Sequence, residues 1–553
     1  MKKVLSLISS CVMAIALVGC SNGTSSTKGV SGEFTGTAKG LGGDVTVTIT
    51  LEDSKITNVV AEGKDETEGI GTKALESMPE AMKEAGSINV DTVATATVTS
   101  NAILEAAKAA IESAGLNPED YMATSTSEPV AAEDVTKDCD VVVVGAGGAG
   151  MTAAITASDA GKSVIIVESQ GVAGGNSVRS TGGMNAAKTV YQDENEFGEE
   201  AGVEKTLKSA EAYTGENEDF VKELTETVKT QWAEYQANPT GYFDSVELFE
   251  LDTMIGGKGI NDPELVKTLV ENSADAIDWL ESIGATLHNV GQFGGAAVKR
   301  IHRPVNDEGK TLAVGSYVVP ILEKNVEDRG VEVMFNTTAN KILTDDNGAA
   351  CGIVAEGKNG ETVTINAKAV ILASGGFGAN NEMVAEQNPQ LDGYITTNAP
   401  GILGQGIKMA QEIGAGTVDM NQIQLHPTVH VAEDGSANLI TEGLRGDGAI
   451  LVNKEGKRFF DEVSTRDKVS AAENEQTDGM AWMIVDQKMY DASTVIQNYV
   501  KKGWMVSGDS VEDLAKAMDV DAATLQETID NWNTCVENKE DAEFGRTSFA
   551  NPL

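Results

Sequence analysis

An α/β fold is predicted by three features of the sequence. An apolar run at 141–144 leads into a glycine-rich turn and an alanine-rich helical stretch. From Asp140 onwards, strand, glycine turn and helix patterns alternate. A separate period-2 stretch, followed by two helical patterns, lies nearer the start. At 553 residues the chain is too long for one core, so it divides into domains. Its 41 basic and 85 acidic residues leave a net charge of −44, which repels nucleic acid and anionic membrane surfaces. Fifty-nine glycines point to many tight turns or ligand loops.

In chain order, "MKKVLSLISSCVMAIALVGC" places two lysines before an apolar run and small residues, the layout of an export signal over 1–20. The run is too short for a lasting transmembrane span. "LVGC" resembles the bacterial lipobox, which implies a lipid on Cys20 and an extracytoplasmic, membrane-anchored protein. Beyond Cys20 the cysteines are Cys139, Cys351 and Cys535, far apart and without a CxxC or CxxCH pattern. A disulfide framework, a zinc site and a c-type haem therefore have no support. A small-residue tether reaches residue 32. "DVTVTITLEDSKITNVVAEG" alternates apolar and polar residues about a turn at Asp53 and Ser54, a half-exposed hairpin. With helices expected in "KALESMPEAMKEAG" and "NAILEAAKAAIESAG", residues 33–115 form a small α+β module, and 116–137 read as a linker.

"DVVVVGAGGAGMTAAITASDAGKSVIIVE" is strand, G-x-G-x-x-G at Gly145, Gly147 and Gly150, helix, second strand and terminal Glu168. Glycines there let backbone approach a pyrophosphate, the helix N-terminus favours that anion, and the acid accepts a ribose hydroxyl. The motif alone does not choose between NAD and FAD.

"GGNSVRSTGGMNAAKTVYQ", "DTMIGGKGINDPELVKTL", "GGAAVKRIHRP", "AVILASGGFGANNEM" and "GQGIKMAQEIGA" together resemble the fumarate reductase and succinate dehydrogenase flavoprotein family, particularly its soluble flavocytochrome c and urocanate reductase type. The likeness runs from 138 to 553. It implies a Rossmann-like FAD domain over 138–420 with an inserted α+β capping domain from about 421, and FAD lined by Ala149, Glu168, Asn176, Ser177, Gly182, Gly183 and Gln405. Gln405 departs from the family's usual aspartate. "DTVATATVTSNAI" resembles the FMN-binding domain of exported proteins, which implies FMN joined through a phosphodiester to Thr97 by a flavin transferase. Ala94 and Thr95 replace that pattern's usual Ser and Gly. Read without the family, the segment is a threonine run before a helix capped by Ser100 or Asn101, with Thr97 in the preceding loop.

"TEGLRGDG", Thr441 to Gly448, crowds hydroxyl, carboxylate and guanidinium together, and "STRD" brings a second arginine. "AILVN", "KEG" and "KRFF" read as a hairpin centred between 455 and 456, from which Arg445 and Arg466 are equally distant. Folding it is expected to bring the arginines together around an anion, with Glu442 supplying one charge and a bound carboxylate another. By the resemblance, His426 and Thr441 hold the substrate carboxylate, Arg466 protonates the substrate carbon, and Glu442 with Arg445 reprotonates it. Arginine hardly ever releases a proton, so a plain carboxylate clamp stays open for Arg466. Lys299, Arg300 and Arg303 read as structural or entry charges, and His302 has no assignment.

In the family, the match to "EFGRTSFANPL" is followed by further residues that grip the other carboxylate and close over FAD, so the chain is expected to be a fragment. The expected activity is reduction of the C=C bond of an enoate such as fumarate or urocanate, with electrons from a membrane or extracellular donor entering through FMN. Two alternatives stay open: a dehydrogenase or oxidase running in reverse, and a non-catalytic flavin electron-transfer lipoprotein.

Overall fold

The computed structural model describes residues 29–66, 71–90, 92–93, 96–122, 133–291, 296–307, 309, 311–432, 435, 437–441, 443–546, 549 and 552–553, with backbone alone at Thr97 and Thr494. Cys20, Ala94, Thr95 and Glu442 lie outside the described residues.

The N-terminal module is a three-stranded antiparallel sheet, β1 (Gly32–Lys39), β2 (Asp44–Glu52) and β3 (Lys55–Glu62), covered by helices α1 (Gly71–Ala85) and α2 (Thr97–Ser113). Alternation in β2 turns Val45, Val47, Ile49 and Leu51 into the core. The tight turn is where expected, with positive φ at both Asp53 and Ser54, as a two-residue hairpin requires. On α2, Ala102, Ala106, Ala107 and Ala110 are buried, and a Cβ at Gly36 of β1 would lie 2.1 Å from the Ala106 carbonyl oxygen. Small residues on both sides thus let helix and sheet meet closely. The expected linker starts too early: Tyr121 Oη donates to the Ser54 carbonyl (2.7 Å) and Ile88 N donates to the Tyr121 carbonyl (2.9 Å), so 116–122 pack on this module. Strand β4 (Val135–Val144) also begins inside the expected linker.

A six-stranded sheet organises the next domain in the order Thr338–Thr344, Ala350–Glu356, Thr362–Leu372, β4, β5 (Val164–Val167), Glu332–Met334. From Thr362–Leu372 to Glu332–Met334 the neighbours run parallel, and the other two strands form an antiparallel flap. Val143 and Ile166 face a layer made by helix α3 (Gly148–Asp159) and the helix Val314–Asp328. Val142, Val144, Ile165 and Val167 face the opposite layer with Ile342, Ile365 and Met409. Apolar side chains covered on both faces explain the unbroken apolar strand. Residues 200–271 build a helical layer with its own aromatic core, which includes Trp232 and Phe243. It is tied to the sheet domain by fully buried Arg300, which grips Asp244 (2.7 Å) and Asp252 (2.5 Å).

The C-terminal part has a separate core in which Ile450–Asn453 pairs antiparallel with Ala481–Ile484 under Leu525, Ile529 and Trp532. The N-terminal module touches both other parts: Lys73 bonds Glu323 (2.8 Å) and Asp65 bonds Lys501 (3.0 Å). Among the described residues no helix is long and apolar enough to cross a membrane.

Candidate active site

β4 is central and its parallel neighbours end level with it, so its C-terminal edge opens a crevice where α/β sheets bind ligands. The crevice measures about 620 Å³ and is lined by Gly145, Gly147, Ala149, Glu168, Asn176, Ser177 and Gln405. A Cβ at Gly145, whose φ is +106°, would sit 2.5 Å from the Ala373 carbonyl oxygen. Gly150 lies behind the wall, where a Cβ would come within 1.9 Å of the Gly145 carbonyl oxygen, so it sets helix against strand rather than touching a ligand. Glu168 is held by the Ala146 and Gln170 amides (2.8 and 2.9 Å), and Ser177 Oγ accepts from Gly148 N (3.0 Å). Asn176 clips the far wall, donating to Asn398 Oδ1 (2.6 Å) and accepting from Ala399 N (2.7 Å). Gln405 opens the helix Gln405–Glu412, after Gly404 at φ +81°. Gly182 and Gly183 are not on the wall: Gly183 packs against the His302 carbonyl, and the nearest atom to a Cβ at Gly182 is Ile301 Cδ1. Thr337, Thr338, Ser374 and Gly375 also line the crevice and were missed, because they enter from strands distant in sequence. Backbone amides at the start of a helix, glycines where a side chain would intrude and one acidic group form a cradle that fits FAD.

In the N-terminal module, helix α2 starts at Thr97 and not at Ser100 or Asn101, which corrects the expected cap and the expected loop. Ser100 Oγ instead accepts from Val93 N (3.0 Å) and is fully buried. The cap position is Ala96, which offers no side-chain bond, and no acid lies in the first turn. An uncapped helix start of this kind favours an anion. Close by, Thr99 donates to the buried Glu66 (2.5 Å), which also accepts from Gly42 N (2.9 Å).

The substrate-site candidates meet through a different hairpin from the one anticipated. Val429–Val431 pairs antiparallel with Ala437–Leu439, and the ladder continues through Ile440 N to the Thr428 carbonyl (3.1 Å) and Thr428 Oγ1 to the Ile440 carbonyl (2.8 Å). His426 and Thr441 therefore leave the ladder at one end. Thr441 N donates to Tyr499 Oη (3.1 Å), while Thr428 N donates to His426 Nδ1 (3.3 Å). Arg466 opens the helix Arg466–Asn474 and its Nη1 donates to Gln424 Oε1 (2.5 Å), two residues before His426. Met420, just upstream, lines the FAD crevice.

Arg445 has different surroundings. It is buried, its Nη1 donates to the Glu462 backbone carbonyl (2.7 Å), and its own carbonyl accepts from Arg546 Nη2 (2.7 Å). The turn at 453–457 forms, with Gly456 N donating to the Asn453 carbonyl (3.0 Å) and Asn453 N to the Lys457 carbonyl (2.9 Å), and it is followed by a bridge from Arg458 to Val452. Among the described residues, Arg458 and Arg546 share an anion beside this turn, the carboxylate of Glu462 (2.7 and 3.1 Å). Arg458 also reaches Asp541 (3.0 Å), and both guanidiniums stack over Trp532. Burial alone would lower the Arg458 pKa, but Glu462 and Asp541 hold it above its ordinary value. Glu442, the acid expected between Arg445 and Arg466, lies outside the described residues, and the cluster on Glu462 is a separate feature whose members Glu462 and Arg546 come from positions that local pairing rules do not connect. Burial also pushes Glu473 up to about 7, against the pull of Arg445. Asp447 is raised by burial, opposed by Arg303. His302 is fully buried, its Nδ1 on the Arg300 carbonyl (2.7 Å) and its Nε2 on Thr189 Oγ1 (2.7 Å), and burial lowers its pKa. It supports the loop behind Met184 as a neutral ring.

A family model described as an FAD binding domain matches residues 140–243 and 232–552, and one described as an FMN-binding domain matches 40–112. The chain belongs to this flavoprotein family. Its FAD- and FMN-binding domains correspond to the crevice at β4 and to the N-terminal module. Family members similar to it include the fumarate reductase (cytochrome) of Shewanella frigidimarina, 39% identical over 75% of this chain and 63% of that protein. The urocanate reductase of Eggerthella lenta is 32% identical over 98% of this chain and 84% of that protein. The open conformation of a flavocytochrome c3 fumarate reductase superposes with a TM-score of 0.57 at 35% identity, covering 75% of this chain and 65% of that one. The chain thus spans less than two thirds of the length of the Shewanella relative.

Proposed function

We propose that this flavoprotein reduces the C=C bond of an α,β-unsaturated carboxylate outside the cytoplasm, fed with electrons through FMN. The observation that carries this reading is Arg466 held on Gln424, two residues from His426 and four after Met420 of the FAD crevice, with Thr441 delivered by the adjoining hairpin. The similarity to a fumarate reductase and a urocanate reductase supports it. Bound FAD would supply the electrons as hydride. His426 and Thr441 orient the substrate carboxylate, and the Arg466 guanidinium stands where a proton or a positive charge is needed as negative charge develops on the substrate. Glu442 and Arg445 are assigned to proton return.

Arg466→Ala in the full-length protein should lower kcat by about 10²- to 10⁴-fold while FAD content and FMN-to-FAD electron flow stay unchanged. A raised KM with kcat recovered at saturation makes Arg466 a clamp, and unchanged kinetics removes it from the site. FMN on Thr97 and lipid on Cys20 complete the proposal, along with a flavin transferase as modifying partner and a membrane or extracellular donor. Intact-mass measurement of the exported protein should find both groups, and Thr97→Ala and Cys20→Ala should each remove one. Neither mass appearing would refute both attachments.

A further inference from the structure

The helix that begins with Arg466 carries Ser470 and Glu473 one and two turns further on, at i, i+4 and i+7 of the same face. Ser470 is 4% exposed, and its Oγ has no hydrogen-bond partner among the described residues. Glu473 is 9% exposed, and the charged side chain whose field bears on it is Arg445. A buried carboxyl in the field of a buried arginine, with an unpartnered buried hydroxyl on the turn before it, is an expensive arrangement. The stabilising ion cluster of Glu462, Arg458 and Arg546 does not account for it, because none of that cluster's hydrogen bonds involves Glu473.

We propose, building on the enoate-reductase reading, that Glu473 is the proton store of the site and acts through Arg445 and the Ser470 hydroxyl. In each turnover the substrate carbon gains one proton from the Arg466 end of the relay. Glu473 releases one proton toward Arg445 to restore it, and the resulting carboxylate is held by the Arg445 charge. Glu473 then regains a proton from solvent, so the protein returns to its starting state and the electrons come from the donor alone. A carboxyl is chemically suited to this exchange where guanidinium is not. Its pKa, pushed up to about 7 by burial, keeps it partly protonated near neutrality.

The test is the pH profile of kcat in the full-length protein, with fumarate and urocanate as probes and flavin reoxidation as readout. In the wild type, kcat should fall as pH rises through the Glu473 transition, because the store is then empty. Glu473→Gln should lower kcat by about tenfold or more and remove that transition, leaving KM and FMN-to-FAD electron flow unchanged, whereas Glu473→Asp should restore part of both rate and transition. If Glu473→Gln does not retain FAD, Ser470→Ala carries the test and should slow kcat without moving KM. A Glu473→Gln or Ser470→Ala enzyme with wild-type kcat and pH profile overturns the inference alone. A wild-type protein whose reduced FAD is reoxidised by neither enoate overturns the reading beneath it.

Discussion

The FAD crevice and the interior of the capping region handle charge with opposite materials. In the crevice the work is done by backbone: glycines where a Cβ would strike carbonyl oxygens, amides at the start of α3, and one acid anchored by two amides. In the cap it is done by long side chains from separated positions, with Arg546 reaching Glu462 across 84 residues of sequence and Arg445 across 101. A backbone site tolerates change in side chains but no added atom at its glycines. A side-chain site tolerates added atoms at its rim but no lost charge in its interior.

The largest expected effect breaks the cap. Glu462→Gln leaves Arg458 and Arg546 with their shared charge gone in a dry interior, and should cost about 3–5 kcal/mol in the denaturation of that region. Retention of native stability would mean that Asp541 alone carries both cations. A smaller effect is expected from the crevice. Gly150→Ala puts a methyl 1.9 Å from the Gly145 carbonyl oxygen, so α3 must move, at about 1–3 kcal/mol of stability. FAD affinity, read by equilibrium dialysis, should fall with it, because the displaced helix start no longer meets the pyrophosphate. Wild-type affinity in that variant would show that the close approach of helix and strand does not position the cradle. The two variants together sharpen the contrast: Glu462→Gln should leave FAD binding intact, and Gly150→Ala should leave the cap's stability intact.

Much of the crevice was legible in the sequence because a G-x-G-x-x-G turn, its strands and its closing acid are contiguous, so local pattern and tertiary role coincide. The same holds for the Asp53–Ser54 turn and the period-2 strand before it. The first strand, Gly32–Lys39, was not read from its sequence, since four of its eight residues are threonine or glycine and its alternation is weak. The start of α2 was misplaced because Ser100 is as good a cap by type as any residue nearby, and only the fold commits its hydroxyl to Val93. In the cap, the expected pairing of Arg445 with Arg466 rested on symmetry about a turn. The turn forms and closes with a bridge from Val452 to Arg458, while the strand before it also pairs with Ala481–Ile484, so symmetry about the turn does not by itself fix where the two arginines lie.

The sequence by itself determined the α/β class, the dinucleotide cradle and the separate N-terminal module, since each follows from glycine spacing and apolar period within a few dozen residues. Only the tertiary structure decided that Arg458 and Arg546 share Glu462, that Arg466 rests on Gln424, and that Glu473 is buried within the field of Arg445. The reason is physical: a charge's state depends on the dielectric and on the partners around it, and both are supplied by chain segments that no local pattern names.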